Sequence, residues 1–172
     1  MESEIIKKAA RGDPEALTLL IDNYKDIAYN LALSIVKNQE DARDITQDSF
    51  LKVLEKIGSF RNDSKFSTWL YRIVYNQSVG FLKKANHTCP IDNDLHYNQP
   101  GNEKDTEELI SELYRAINSL AETDRDIIML FYLAEKSVKE IAFITGLSQG
   151  NIKVILHRAR KKLYNTMDHA SK

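Results

Sequence analysis

Cysteine is nearly absent: the chain of 172 residues has one, Cys89. That excludes an internal disulfide framework and a cysteine-based structural zinc site. A lone thiol fits a reducing, intracellular setting without establishing one. Glycine (6) and proline (3) are scarce, too few for long β-meanders or low-complexity disorder. No apolar run approaches the length of a membrane span. The opening MESEIIKKAARGD lacks the apolar core of a secretory signal peptide. Neither sign of charge dominates, with 24 Lys+Arg against 25 Asp+Glu. What is present is ordinary for a globular protein, 42% apolar and 28% charged residues. The length allows one domain or two small ones.

The balanced charge conceals segments of opposite sign. Lys65, Arg72, Lys83 and Lys84 share a stretch without an acid. Lys153, Arg158, Arg160, Lys161, Lys162 and Lys172 face only Asp168 near the C-terminus. Between these blocks lie Asp92, Asp94, Glu103, Asp105, Glu107, Glu108 and Glu112 against Lys104. Clustered cations are the footprint of polyanion binding, although solvated helix faces explain the charges alone equally well.

Apolar periodicity is helical nearly throughout. Ala16, Leu20, Tyr24, Ile27, Leu31 and Ile35 form one stripe on a long helix. Ala42, Ile45, Ser49, Val53 and Ile57 mark a second, ending near Gly58. Ser64 or Ser67 caps a third, with Trp69, Leu70, Ile73, Val74 and Phe81 on its apolar side. The pattern fails from about Ala85 to Lys104, where Cys89-Pro90 and Gln99-Pro100-Gly101 punctuate the chain. Such a stretch inside one compact domain is unusual, so it reads as a flexible linker. Its maximal reach is roughly 70 Å, and as a coil it averages about 25 Å. Helical spacing resumes with Leu109, Leu113, Ala116, Ile117 and Leu120. Thr123 with Asp126 reads as a further helix start, leading into Ile127, Ile128, Leu130 and Phe131. Ser137 with Glu140 reads as a capping box before Ile141, Ala142 and Ile144. Gly146 then ends that helix, and Ser148 opens the last one, with Ile152, Leu156, Ala159 and Leu163 inward. The expected fold is all-α, with seven helices in two small domains.

The segment from Ser137 to Leu163 has the layout of a helix-turn-helix, whose second helix enters the major groove. With its apolar residues inward, the outer face holds Gly150, Val154, His157, Arg158 and Lys161, flanked by Gln149, Asn151 and Lys153. Asn, Gln, Lys and Arg read base edges or hold phosphate, and Val154 offers apolar contact to a thymine methyl. DNA binding is favoured over an ordinary helical hairpin. The run from Phe60 to Asn76 mixes aromatics, small polar groups and cations, a combination suited to single-stranded nucleic acid. There Trp69 reads as core, while Tyr71, Tyr75 and Asn76 read as surface. Glu40, Asp41, Asp44, Gln47 and Asp48, with Phe50, Leu51 and Leu54 nearby, form either a docking face or a merely solvated one. No Gly-rich phosphate loop, nucleophile elbow or paired metal ligands appear, so neither an enzyme nor a cofactor is expected. His157 is not read as a metal ligand. Cys89 lacks a resolving cysteine and a cationic neighbourhood and reads as incidental.

Three segments, DARDITQDSFLKVLEKIGSF, SKFSTWLYRIVYN and EIAFITGLSQGNIKVILHRARKKL, resemble the bacterial sigma-70 family. They are most similar to its short extracytoplasmic-function (ECF) group, which keeps only the second and fourth sigma regions. The resemblance spans about 9–84 and 108–165. It implies a non-enzymatic, cytoplasmic factor, nucleoid-associated when active. Such a factor binds core RNA polymerase through the β′ and β subunits and directs it to promoter DNA. It divides the chain into region 2 (1–84), linker (85–104) and region 4 (105–172).

By this resemblance Asp44, Gln47, Asp48 and Leu51 dock on the β′ coiled coil. Lys52, Phe60 and Asn76 serve melting or base capture at the minus-ten element. The loop Asn62, Asp63, Ser64, Lys65 and Phe66 shapes that pocket, with Tyr71, Arg72 and Tyr75 on the following helix. Lys153, Val154, His157 and Arg158 match the family's contact positions on the minus-thirty-five duplex, and Gln149, Asn151 and Lys161 on the same helix are expected to join them. An anti-sigma factor, often membrane-anchored in this group, is the implied inhibitory partner. The chain departs from the common pattern at Tyr75 (Arg in many members), Gly80 (Asp), Asn151 (Thr) and Val154-Ile155 (Ser-Arg), which obscures the promoter sequence. The competing reading is a helix-turn-helix regulator that acts without polymerase.

Overall fold

The computed structural model describes residues 2–85, 113 and 115–170. The helices are α1 (Glu2–Ala10), α2 (Pro14–Val36), α3 (Gln39–Lys56), α4 (Phe66–Ala85), α5 (Glu122–Tyr132), α6 (Val138–Thr145) and α7 (Gln149–Ala170). Residues 115–118 are also helical, and a single 3-10 turn, Ile57–Ser59, follows α3. No strand occurs among the described residues. The chain divides into two compact units, Met1–Leu95 and His96–Lys172. The linker expected at 85–104 lies outside the described residues except for Ala85, as do Cys89 and the whole acidic block.

In the first unit α2 is the central element and packs on α1, α3 and α4. Its start is set by Pro14 at the first helical position and by Asp13, whose Oδ1 accepts from Glu15 N (3.0 Å) and Ala16 N (3.2 Å). Pro needs no N–H there, and the Asp oxygen satisfies orphan donors. Lys37 closes α2 in the left-handed region (φ 59). Asn38 immediately caps α3, accepting from Glu40 N (2.8 Å) and Asp41 N (3.1 Å). This back-to-back stop and start turns α3 alongside α2.

The straight stripe expected on α2 is corrected. Ala16, Leu20, Leu31 and Ile35 are buried, but Ile27 is exposed and Tyr24 half-buried, while Ala28, Ala32 and Val36 are buried instead. The buried face drifts around the helix because α2 serves three neighbours rather than one. On α4 the core positions are Phe66, Leu70, Val74 and Ser78, one per turn. Trp69, Ile73 and Phe81 lie half-buried at the stripe's edge, so Trp69 is not a core residue. Each fully buried apolar side chain contributes about 1.5–3 kcal/mol. The Ser78 hydroxyl is satisfied by donating to the Val74 carbonyl at 2.9 Å. Neither Ser64 nor Ser67 begins α4; the helix opens between them at Phe66. α1, unread in the sequence, buries Ile6 and Ala9.

Ser49 on α3 is fully buried, and its Oγ has no hydrogen-bond partner among the described residues. Ser49→Ala removes an unsatisfied polar group and improves helix propensity. It is expected to stabilise the protein by about 1 kcal/mol in urea denaturation. A measured loss would mean that the hydroxyl is bonded.

In the second unit α7 packs on both α5 and α6. The capping box forms as expected: the Ser137 backbone N–H donates to Glu140 Oε2 at 2.9 Å, and Glu140 N–H donates to Ser137 Oγ at 3.3 Å. Gly146 ends α6 with φ 77, a conformation that costs an L-residue about 1–2 kcal/mol. Two residues later Ser148 Oγ accepts from Asn151 N at 3.2 Å and starts α7. The expected Thr123 start is corrected: α5 begins at Glu122 after Ala121, with no side-chain cap. Asp124, Arg125 and Asp126 are all buried, while Glu122 and Thr123 ahead of them are exposed. Ile152, Leu156 and Ala159 are buried as expected. Ile155 joins them, while Leu163 is half-buried.

Candidate nucleic-acid interface

Three surfaces carry the candidate residues, two on the first unit and one on the second. The first is the outer face of α3. Ala42, Ile45, Ser49, Phe50 and Val53 point inward, which leaves Asp44, Gln47, Asp48 and Leu51 exposed on one stripe at helical spacing. Phe50 is therefore core. Leu51 is 58% exposed and Leu54, a turn further on, 40%. Apolar side chains this open beside acids suit a partner surface. Asp41 on the same helix titrates above the usual carboxylate range, from partial burial first and then from the charges of Asp44 and Glu40. The acids of this face repel one another, and a cationic partner would relieve that repulsion.

The second surface follows the 3-10 turn. Phe60 is half-buried over an aromatic cluster, its ring centroid 5.1 Å from Trp69 and 5.7 Å from Phe66. Phe66 also meets Tyr24 at 5.1 Å. Phe66 is only 2% exposed. This corrects its expected place in the pocket wall: its ring cannot reach a base and instead supports Phe60 and Trp69. Arg61, Asn62, Asp63 and Lys65 stand exposed around this platform, with Ser64 half-buried. Asn62 takes φ 59, a left-handed turn that Asn tolerates better than most residues.

On α4, Arg72 and Asn76 are exposed, and Tyr71 and Tyr75 are half-buried. Burial raises the Tyr71 hydroxyl's pKa, so Tyr71 is less open than a surface reading expects. Lys52 is exposed on α3, with its Nζ 3.5 Å from Glu55. Phe60 and the polar loop thus form an aromatic floor with exposed polar groups at its rim. Such a surface can stack an unpaired base and bond its edge.

The third surface is α7. Gln149, Asn151, Lys153, Val154, His157, Arg158 and Lys161 are all exposed, and Val154 is 62% exposed. The cations of this helix fall into two groups. Arg158, Arg160 and Lys162 tie the unit together: the Arg160 guanidinium lies 5.5 Å from the Phe131 ring centroid, and Lys162 Nζ donates to the Ser119 carbonyl. Arg158 Nε donates to Asp124 Oδ2 at 3.0 Å, and Nη2 donates to Oδ1. Asp124 raises the guanidinium pKa further through these hydrogen bonds and then through its charge. Lys153, His157 and Lys161, at successive turns, make no hydrogen bond or ion pair among the described residues. Asp124 escaped the sequence reading because its partner lies 34 residues away, and no local pattern reports such a pair.

No group of acids, histidines and cysteines among the described residues could hold a metal ion. No helix among them is long and apolar enough to cross a membrane.

Residues 20–88 match the model of sigma-70 region 2, and residues 110–163 that of sigma-70 region 4. The ECF RNA polymerase sigma factor SigW of Bacillus subtilis is 31% identical over 92% of both chains. The RNA polymerase sigma factor SigV of the same organism is 34% identical over 84% of this chain and 87% of its own. Among solved structures, the sigma factor RpoE of Bartonella quintana, in complex with the anti-sigma factor NepR, shares the fold. It has a TM-score of 0.72 at 23% identity, covering 88% of this chain and 96% of the other. The exposed α3 stripe, the aromatic loop and the helix-turn-helix therefore lie within the two regions that define a known family, and this chain belongs to the sigma-70 family, as one of its ECF RNA polymerase sigma factors.

Proposed function

We propose that the chain recruits core RNA polymerase through α3, captures an unstacked minus-ten base at the Phe60 loop, and reads the minus-thirty-five element as duplex through α7. Sigma factors are non-enzymatic initiation factors, so the bond-making chemistry belongs to the polymerase. The observation that supports this reading is the presence in one chain of two unlike exposed surfaces, each suited to a different form of nucleic acid. One is an exposed polar and cationic helix face behind a Gly turn, shaped for a groove. The other is an aromatic ring backed by further rings and rimmed with polar groups, shaped for a base out of its stack. A duplex-only regulator has no use for the second.

On the same footing, residues 1–84 form the polymerase and minus-ten domain, 85–104 the linker and 105–172 the minus-thirty-five domain. Lys52, Arg72 and Lys65 supply phosphate contacts near the melted strand, and Lys153, His157 and Lys161 engage the duplex. The acidic, leucine-bearing α3 face suits a basic surface of β′ or β. An anti-sigma factor, as found with the related fold, would act in the cytoplasm by covering these faces.

The test is strand opening by the reconstituted holoenzyme, read by permanganate reactivity of minus-ten thymines. Phe60→Ala is expected to lower opening by roughly 10- to 100-fold, since stacking on one aromatic contributes about 1–3 kcal/mol per base, and Asn76→Ala by about tenfold, through the loss of a hydrogen bond to the base edge. Promoter duplex is still bound. Undiminished opening in both variants would remove this loop from the mechanism.

A further inference from the structure

We propose that Asp124, on α5, is a positioning residue for DNA readout: it fixes the Arg158 guanidinium and cancels its charge, so that Arg158 contributes selectivity rather than general attraction to DNA. The proposal rests on the reading of α7 as the duplex-contacting helix. Asp124 is the fixed partner of the pair, its side chain 9% exposed in the first turn of α5, whereas that of Arg158 is 62% exposed. The favourable end of the helix dipole also holds the carboxylate there.

The pairing geometry decides what remains available. Arg158 spends its Nε–H and one Nη2 hydrogen on the two carboxylate oxygens. The second Nη2 hydrogen and both Nη1 hydrogens stay uncommitted and point away from Asp124. A planar fork held in one orientation suits an acceptor that presents two atoms together, such as a guanine edge or the paired oxygens of a phosphate. An unbuttressed arginine would sweep many orientations and bond whichever phosphate came near. The pair is also neutral as a unit. Long-range attraction to DNA therefore falls to the cations of α7 that no acid neutralises, Lys153 and Lys161 one turn to either side of His157, and Arg160 and Lys162, whose partners are uncharged.

The test uses the full chain bound to core polymerase. The probes are a promoter duplex selected by the wild-type holoenzyme and the same duplex with its upstream element scrambled. Asp124→Asn keeps the shape and removes the charge. It is expected to tighten binding to the scrambled duplex about 3- to 10-fold at low salt and to steepen the salt dependence by about one unit of log K per log salt. The preference for the selected duplex should fall about tenfold, and Asp124→Glu should restore part of it. In an Arg158→Met background the same Asp124→Asn change should leave the preference unaltered. On the selected site, replacing contacted guanines by 7-deazaguanine separates a base edge from a phosphate as the acceptor.

An unchanged salt slope and preference, with only a lowered melting temperature, would make the pair a structural tie and overturn the proposal. So would a loss of preference that persists without Arg158. If the wild-type holoenzyme shows no preference between the duplexes, and Lys153→Ala changes nothing, the reading of α7 fails and the proposal falls with it.

Discussion

A chain carrying Asp44→Ala, Gln47→Ala and Asp48→Ala together is expected to lose affinity for core RNA polymerase by roughly 100- to 1000-fold, with its fold intact. All three side chains are exposed on the outer face of α3, so their removal takes nothing from the core, and alanine favours the helix. In a complex they would be covered together with Leu51 and Leu54. A few such residues carry most of the energy of an interface, at about 1 kcal/mol or more each, and each 1.4 kcal/mol is about tenfold in affinity. Leu51→Ala should add a further loss, because most of its apolar surface stands open to solvent in the free chain. Charge-driven docking predicts a weaker effect at high salt for the two aspartates than for Leu51. Competition binding with labelled core enzyme, alongside circular dichroism, measures both halves of the expectation. Full affinity in a folded triple variant would assign the polymerase surface elsewhere.

The second large effect concerns the scaffold beneath the minus-ten loop. Leu70 is fully buried at the centre of the α4 stripe, between the turns that carry Phe66 and Val74. Leu70→Ala is expected to cost about 2–5 kcal/mol, the transfer of the lost methyl groups plus the cavity left behind. That is a large share of the 5–15 kcal/mol available to an ordinary domain. The chain has one tryptophan, and Trp69 sits beside Leu70 in the ring cluster with Phe60 and Phe66. Its fluorescence therefore reports the unfolding of this unit directly. A urea midpoint shifted by less than 1 kcal/mol of stability would mean that the site collapses around the smaller side chain. Since Phe60 stands on the same cluster, strand opening should weaken over the same temperature range in which Trp69 fluorescence changes.

Much of this architecture was legible before any coordinates. Six of the seven expected helices correspond to α2–α7, the other falling largely outside the described residues, and the capping box at Ser137 and Glu140, the Gly146 turn and the Ser148 cap all form at the expected positions. Local hydrogen bonds and backbone conformation dictate these features, and they are written within four residues of one another. What the sequence hid was long-range. Periodicity assumes one neighbour per helix, whereas α2 packs on three, so Ile27 is exposed where Ala28 is buried. Trp69 matched an apolar stripe, yet the ring cluster keeps it half-buried. Phe66 looked like part of a polar loop and became that loop's foundation. α1 is too short for a convincing stripe, and only its burial of Ile6 and Ala9 reveals its role.

The candidate sites divide in the same way. The exposure of Asp44, Gln47, Asp48 and Leu51 follows from counting along α3, and that of Lys153, Val154, His157 and Lys161 from counting along α7. The division of the α7 cations could not be counted. Arg158 and Arg160 differ from Lys153 only in what α5 brings to them, Asp124 in one case and Phe131 with Tyr132 in the other. A basic helix face therefore overstates the number of charges free to meet phosphate.

Promoter-directed initiation tests the central claim most directly. The purified chain would be added to bacterial core RNA polymerase on a pool of upstream fragments from the genome that encodes it, and transcript starts mapped. The expected result is a set of discrete starts that require the chain, vanish with the Asp44, Gln47 and Asp48 triple variant, and fall sharply with Asn76→Ala. A folded chain that yields no starts, and binds duplex DNA tightly in the absence of polymerase, would contradict it.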